Sequence, residues 1–253
     1  MLIATNALVL KTIPYGDTSV ISRLFTEREG KVSILAKGAW RKKSTTGSVL
    51  EPMNHIHLQY YHKYSREIQI LKDCGFSAKY THIRNNLHRT LFGFSIVEML
   101  DKSTLDNNPF PILYRLGWRV LEKLNDEKND VYSIFAFFLY QLSLRLGFMP
   151  EINQCRKCKS QLSTCIFDEQ LGELVCLACS HQGKLQMDEK NMAFLRQLEN
   201  LHLDDLETIR ADRHSVLHAI QFLEKFTQFH IESLRRMKAL PLANKLLLSE
   251  GMQ

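Results

Sequence analysis

The sequence predicts an α+β protein, with an N-terminal β-barrel on the scale of an OB-fold followed by an α-helical domain that carries a four-cysteine, zinc-ribbon-like insert. Three observations lead there. The first 75 or so residues break into short β-rich runs punctuated by glycine and proline. From about Phe76 the apolar spacing becomes helical. Two Cys-x-x-Cys pairs then interrupt the helices at Cys155–Cys158 and Cys176–Cys179. The expected domains are 1–78 for the barrel, 79–150 with 185–241 for the helices, 151–184 for the insert and 242–253 for a C-terminal tail.

Five strands are expected. "NALVLKT" is rich in β-formers, and "SVISRLFT" and "KVSILAKG" flank "EREG", whose Gly30 suits a tight turn. "HIHLQYY" alternates Ile56, Leu58 and Tyr60 with His55, His57 and Gln59, which places both histidines on one exposed face, and "REIQILKD" is the fifth strand. Five such strands close a small barrel; an SH3-like barrel fits the pattern less well.

In "NNLHRTLFGFSIVEMLDKS", Leu87, Leu91, Phe94, Val97 and Met99 fall near one helical face. "PFPILYRLGWRVLEKLN" opens on prolines, as helix starts do, and "VYSIFAFFLYQLSLRLG" stops at Gly147. "DEKNMAFLRQLENL" and "DRHSVLHAIQFLEKFTQFHIESLRRM" supply two more helices, the second with a core stripe of Phe222, Phe226 and Phe229. Arg235, Arg236 and Lys238 close that last helix, where cations suit its dipole.

The cysteine spacing points to metal. Each Cys-x-x-Cys turn offers two thiolates, and the 17 residues between Cys158 and Cys176 match the usual four-cysteine zinc pattern. "LSTCIFD" and "GELVC" read as two strands joined around Gly172. Four thiolates fill a tetrahedral sphere and leave no place for water, so one structural zinc per chain is expected. Free cysteines and a redox dithiol are the weaker readings, since no thioredoxin-like context surrounds either pair. Cys165 reads as a buried strand thiol, Cys74 as a core or spare surface thiol, and His181 as a remote substitute ligand.

The charge map points to a polyanion. Of 33 basic and 27 acidic residues, the first 80 positions hold 12 and 6, which leaves the rest of the chain balanced at 21 and 21. "LAKGAWRKKS" gathers Lys37, Arg41, Lys42 and Lys43 around Trp40 with no acid among them, cations for phosphates beside an aromatic for an unpaired base. Trp40 either packs into the barrel or stacks on a base, and both readings stay open here.

The longest apolar run, Val131 to Tyr140, is about half the roughly 20 residues that span a bilayer. The N-terminus has no basic lead before its apolar residues, so a cytoplasmic protein is expected. No phosphate-binding loop, nucleophile elbow, zincin motif or compact carboxylate set is present, which argues against an ATPase, hydrolase or nuclease.

"ALVLKTIPYGDTSVISRLFTEREGKVSILAKGAWRKKS", followed by "LEP" at 50–52, resembles the RecO family of DNA repair and recombination mediators. The likeness is specific through residues 8–75 and lies in layout beyond, including a metal-binding insert at Cys155, Cys158, Cys176 and Cys179. It departs at Trp40, where arginine or a small residue is usual, and at Met53, where an aromatic is commoner. The resemblance implies an OB-fold, a helical body and a zinc-finger-like insert. It further implies a non-enzymatic mediator that binds single- and double-stranded DNA, anneals complementary strands and, with RecR, helps load RecA onto DNA coated with single-strand binding protein (SSB). On this reading DNA meets Lys11, Arg23, Lys37, Trp40, Arg41, Lys42 and Lys43. The acidic C-terminal tail of SSB meets Arg119, Arg235 or Arg236 in the helical half. The alternatives are a zinc-ribbon transcription or RNA-binding factor that reads nucleic acid with its knuckles, and an enzyme with a dispersed site.

Overall fold

The computed structural model describes residues 1–180, 183–209 and 211–250. The chain divides into two compact units, one of Met1–Asp126 with Met237–Leu246 and one built on Glu127–Arg236.

In the first unit, strands β1 (Leu2–Tyr15), β2 (Ser19–Thr26), β3 (Gly30–Ala36), β4 (His55–Tyr61) and β5 (Ile68–Ala78) form a closed barrel in the order β1-β2-β3-β5-β4, with the four-residue helix α1 (Thr46–Val49) between β3 and β4. β1 is twice the length expected because it serves two neighbours. Its first half pairs with β4, from Leu2 beside Tyr61 to Leu8 beside His55, and its second half with β2. A register shift between Val9 and Lys11 lets it turn from one to the other. β3 and β5 close the circuit as a parallel pair.

The alternation seen in the sequence decides what lies inside: Val9, Val20, Leu24, Ile34, Ile56, Leu58 and Tyr60 fill the barrel. α1 plugs one end with Val49 and Leu50. Its carbonyls are held by Asn54, whose amide donates to Ser48 and Val49. Gly30 turns β2 into β3 at φ +68°, and a Cβ there would lie 2.3 Å from the Asn108 carbonyl oxygen. Left-handed geometry and close backbone approach thus both require glycine.

Helices α2 (Thr81–Asn85), α3 (Leu87–Ser103) and α4 (Pro111–Asn125) complete this unit, with α8 (Ala239–Glu250) entering it from the far end of the chain. Proline opens α4, as expected. Phe25 meets Tyr114 edge-on at 5.9 Å, and His55 stacks on Trp118 at 5.2 Å while bonding the Tyr114 hydroxyl. His55 is therefore half-buried, contrary to the exposed face expected of it, and burial lowers its pKa.

The face of α3 also differs in part from expectation. Val97 and Met99 are buried as expected, together with Phe92, Ile96 and Leu100, whereas Leu87 is exposed and Leu91 and Phe94 are half-buried. Both sets recur with helical spacing, so periodicity alone does not choose between them.

In the second unit, α5 (Val131–Arg145) is buried along nearly its whole length and ends at Gly147. There the amides of Gly147 and Phe148 return to the carbonyls of Leu144 and Ser143. α6 (Glu189–Asn200) starts with a capping box of Asp188 and Asn191. α7 (Arg213–His230) buries Phe222 and Phe226. It stops at His230 rather than running on to Met237: residues 232–236 form a tighter 3-10 turn, from which Arg235 folds back to bond the carbonyls of Gln228 and Phe229. The C-terminal residues expected as a tail are helical through Glu250, and 251–253 lie outside the described residues.

Candidate nucleic-acid interface and metal centre

The basic loop leaves the end of β3 and is fixed by backbone bonds. The Trp40 amide donates to the Thr18 carbonyl at 2.9 Å, Gly47 to Ala39, and Ser44 to Arg41. Buried Ala39 anchors it to the barrel core. Lys37, Arg41, Lys42 and Lys43 all face solvent, and no carboxylate among the described residues pairs with them. Trp40 is 51% exposed, so its ring is outside the barrel. The indole lies over Gly47, where a Cβ would come within 2.6 Å of Cδ1. With Arg41, Lys42 and Pro52 it borders a groove of about 540 Å³. The one acid lining that groove, Glu51, is paired with Arg84 at 3.3 Å. The loop thus combines four unpaired cations with an accessible aromatic.

Two residues expected on this interface are placed elsewhere. Arg23 lies 2.9 Å from Asp101 through Nε and bonds Asp106 through its other end. Lys31, only 4% exposed, shares both carboxylates. Arg23 is therefore neutralised by acids 78 and 83 positions away in sequence, which no local pattern reveals. Lys11 sits on the rim of a cavity of about 550 Å³ with Lys102 and Lys238. Leu91, Phe94, Val97 and Leu242 line that cavity's apolar wall. Its two acids are engaged: Glu98 accepts the backbone amides of Lys238 and Ala239, and Asp101 pairs with Arg23 and Lys31. Sequence reasoning missed this cavity because half of its wall is the less buried face of α3 and Leu242 belongs to the supposed tail.

Of the arginines expected to meet a partner, Arg119 is half-buried on α4 and Arg236 is exposed. Arg235 caps α7, which is the capping role its position predicts.

In the second unit, β6 (Cys165–Asp168) pairs with β7 (Glu173–Cys176) and with the two-residue β8 (Gln186–Met187). The turn between β6 and β7 contains Gly172, at φ +69° under the Phe229 ring. The two Cys-x-x-Cys turns, one before β6 and one at the end of β7, converge, and the sulfurs of Cys155, Cys158, Cys176 and Cys179 all lie within 4.8 Å of one another. Cys158 Sγ is 3.6 Å from Cys176 Sγ. A tetrahedron of zinc–sulfur bonds of about 2.3 Å has edges of about 3.8 Å, so the set fits such an ion.

Hydrogen bonds move the thiols of this cluster in both directions. The Cys176 amide donates to Cys155 Sγ at 3.3 Å. The Ser160 hydroxyl, then its amide, help to lower the Cys158 thiol to about 6. Cys179 shares its bonds with Cys158 first and Cys176 next, and is pushed up to about 12. Cys165 is outside the cluster: it is buried, 3.4 Å from Met192 Sδ, and burial raises its thiol to about 12. Cys74 packs against the barrel core. His181 lies outside the described residues.

Residues 1–80 match the family model described as recombination protein O N terminal, and residues 84–240 match recombination protein O C terminal. A DNA repair protein RecO of Salinibacter ruber is 35% identical over 155 residues, 61% of this chain and 60% of that protein. One of Prosthecochloris aestuarii is 31% identical over 155 residues, 61% and 59% of the two chains. The chain thus aligns with about three fifths of the length of each. With the DNA repair protein RecO of Chloroherpeton thalassium the identity is 26% over 258 residues, 98% of this chain and 100% of that protein.

Arg23 and Lys31 separate structural from binding cations. Lys31→Met, which removes a nearly buried ammonium from Asp101 while Arg23 stays on that carboxylate, should cost about 1–3 kcal/mol in urea unfolding. Arg23→Gln, half-exposed, should cost about 1 kcal/mol or less and leave the salt dependence of DNA binding unchanged. A fall in that salt slope for Arg23→Gln would return the residue to the interface.

Proposed function

The chain belongs to the recombination protein O family, and on that premise we propose that it is a non-enzymatic recombination mediator. It binds single- and double-stranded DNA, anneals complementary strands and, with RecR, helps RecA load onto SSB-coated DNA. The observation that carries the DNA-binding part is the loop of Lys37, Arg41, Lys42 and Lys43, whose charges no carboxylate among the described residues neutralises and whose Trp40 is open to solvent. Cations on a fixed loop exchange with the counterions of any phosphate backbone, so affinity is independent of sequence and sensitive to salt. Annealing requires two strands held side by side with their charges screened, and no bond is made or broken in the protein.

The rival reading, a zinc-ribbon transcription or RNA-binding factor, needs free charge on the insert. There Lys157 bonds Asp168 at 2.8 Å and Lys225 of α7 bonds Glu169 at 2.6 Å, so those cations are already engaged. The four-cysteine cluster holds one structural zinc, which supplies folding free energy to the insert rather than chemistry. The protein works in the cytoplasm, and no helix among the described residues is long and apolar enough to cross a membrane.

RecR and the acidic SSB tail are the protein partners on the same reading. For the tail, the cavity rimmed by Lys11, Lys102 and Lys238 offers an apolar wall beside cations, whereas Arg235 is occupied at the end of α7. Arg119 and Arg236 stay as alternative contacts. Titration with a tail peptide should show Lys238→Glu weakening binding about tenfold or more and Arg235→Ala leaving it unchanged; the opposite order moves the site to the arginines.

Replacing Arg41, Lys42 and Lys43 together with alanine should lower affinity alike for unrelated sequences and flatten the salt slope on single strands by about 0.7 per lost contact. Annealing by the native chain should need no nucleotide. An unchanged slope, or a strict ATP requirement, overturns the reading. Cys176→Ser should lose zinc and solubility before DNA affinity, while Cys165→Ser keeps its metal. A well-folded, zinc-free Cys176→Ser chain that cannot bind DNA would favour the zinc-ribbon rival.

A further inference from the structure

The turn between β4 and β5 plays no part in the interface described above, yet it is held by several specific bonds. It carries Lys63, Tyr64 and Arg66, and Tyr64 is 90% exposed, more than any other large apolar side chain of the described residues. Burying a polar group without partners is costly, and buried amides are normally satisfied. Gln69, 4% exposed, is satisfied by this turn alone: its Oε1 accepts the Lys63 amide at 2.9 Å, and its Nε2 donates to the carbonyls of Lys63 at 3.3 Å and Arg66 at 2.7 Å. The Arg66 amide closes the turn onto the Lys63 carbonyl. A core position is thus occupied by a polar side chain whose bonds hold a surface loop in one shape.

The aromatic ring is held as well. His62 meets Tyr64 edge-on at 4.7 Å and leans on the buried ring of Tyr60 at 6.2 Å. The base of the turn is tied to the N-terminus, since the Met1 ammonium donates to the His62 carbonyl and the His62 amide to that of Met1. Below the turn, strand register aligns one outward residue from each strand, Ile13, Ile21, Leu35, Ile70 and Tyr61, into an apolar row around the barrel. The parallel pairing of Ser33 with Ile68 sets the turn toward the Gly30 end of β3, while the basic loop leaves its Ala36 end. Six strand steps of about 3.3 Å separate those ends by about 20 Å.

A solvent-facing aromatic on a rigid tip, flanked by cations, suits an unpaired base between two phosphates. A duplex keeps its bases stacked inside and offers the ring nothing to cover. Glu67 follows in the same turn, but no carboxylate among the described residues pairs with Lys63 or Arg66.

We propose that the Lys63–Arg66 turn is a second single-strand contact, in which Tyr64 stacks on an unpaired base while Lys63 and Arg66 hold the phosphates on either side. This rests on the DNA-binding reading given above. A strand so held crosses the apolar row and reaches the basic loop at the other end of β3.

The test compares Tyr64→Ala and Tyr64→Phe by fluorescence anisotropy with labelled oligothymidylate and with a blunt duplex. Because Tyr64 makes no core contact, both variants should fold, which thermal melting checks. Tyr64→Ala should lose about 5- to 150-fold in single-strand affinity, the range that one stacked base supports, with duplex binding unchanged. Tyr64→Phe, which keeps the ring face, should bind as the native chain does. An oligonucleotide carrying 5-iodouracil should crosslink to Tyr64 under near-ultraviolet light. The proposal falls if Tyr64→Ala binds single strands normally while the Arg41, Lys42 and Lys43 variant does not, if Phe fails as Ala does, or if duplex and single strand weaken equally. Failure of the native chain to bind single strands at all would remove the DNA-binding reading with it.

Discussion

The first unit depends on one strand being shared. β1 pairs with β4 over its first half and with β2 over its second, and the bulge between Val9 and Lys11 is where the change is made. Without that double pairing the sheet would be open, with two unpaired edges and Tyr60, Ile56 and Leu24 facing water. Closure also fixes what hangs from the barrel. The β1–β2 turn supplies the Thr18 carbonyl that holds Trp40, and the Val9 amide and carbonyl hold Asn54 and Met53 at the corner before β4. Met53 accepts a left-handed backbone at φ +73° there, and its thioether lies against Gly93 of α3, a helical position where a side chain would collide with it. A flexible thioether suits such an irregular gap.

Charge within this unit divides into two classes. Arg23 and Lys31 face Asp101 and Asp106, and Arg84 faces Glu51; these pairs fasten the α3–α4 connection and the α1 corner to the barrel. Lys31 is nearly buried, so its partners are obligatory rather than ornamental. The cations of the 37–43 loop have no such partners among the described residues, and unpaired charge in water is what a polyanion can use. A positive excess in sequence therefore overstates the binding surface, because part of it is consumed internally.

How much of this was legible in the sequence follows from the range of each interaction. β2 and β4 match their expected spans because alternation and turn glycines act within ten residues. The four metal-site cysteines were legible because spacing inside each Cys-x-x-Cys turn is local, and the pairing of β6 with β7 brings the turns together. The buried face of α3 was legible only in part: Val97 and Met99 are buried as expected, but Leu87, Leu91 and Phe94 repeat as regularly as Phe92, Ile96 and Leu100, and only the barrel's position chooses. Arg23 was misplaced because its acids lie far along the chain. The break after His230 was missed because it is set by the fold of Arg235 onto carbonyls, which periodicity does not register.

The cysteine cluster lies in the part of the second unit with the least structure of its own, and its four sulfurs could hold a metal there. The insert's sheet has strands of four, four and two residues, too short to be stable alone, and its apolar side, Phe167 and Cys165, packs on Phe222 of α7 and Met192 of α6. The other side buries Ile166 and Val175, and Cys176 stands opposite Cys165 at the end of β7, where the two Cys-x-x-Cys turns meet. An ion held by those four sulfurs would cross-link the two turns and add folding free energy to a sheet this short. Cys176 ends β7 opposite Cys165, so such an ion would act first on the register of β6 and β7. The barrel has its own closed ring of strands and its own buried residues, so the two units carry separate cores.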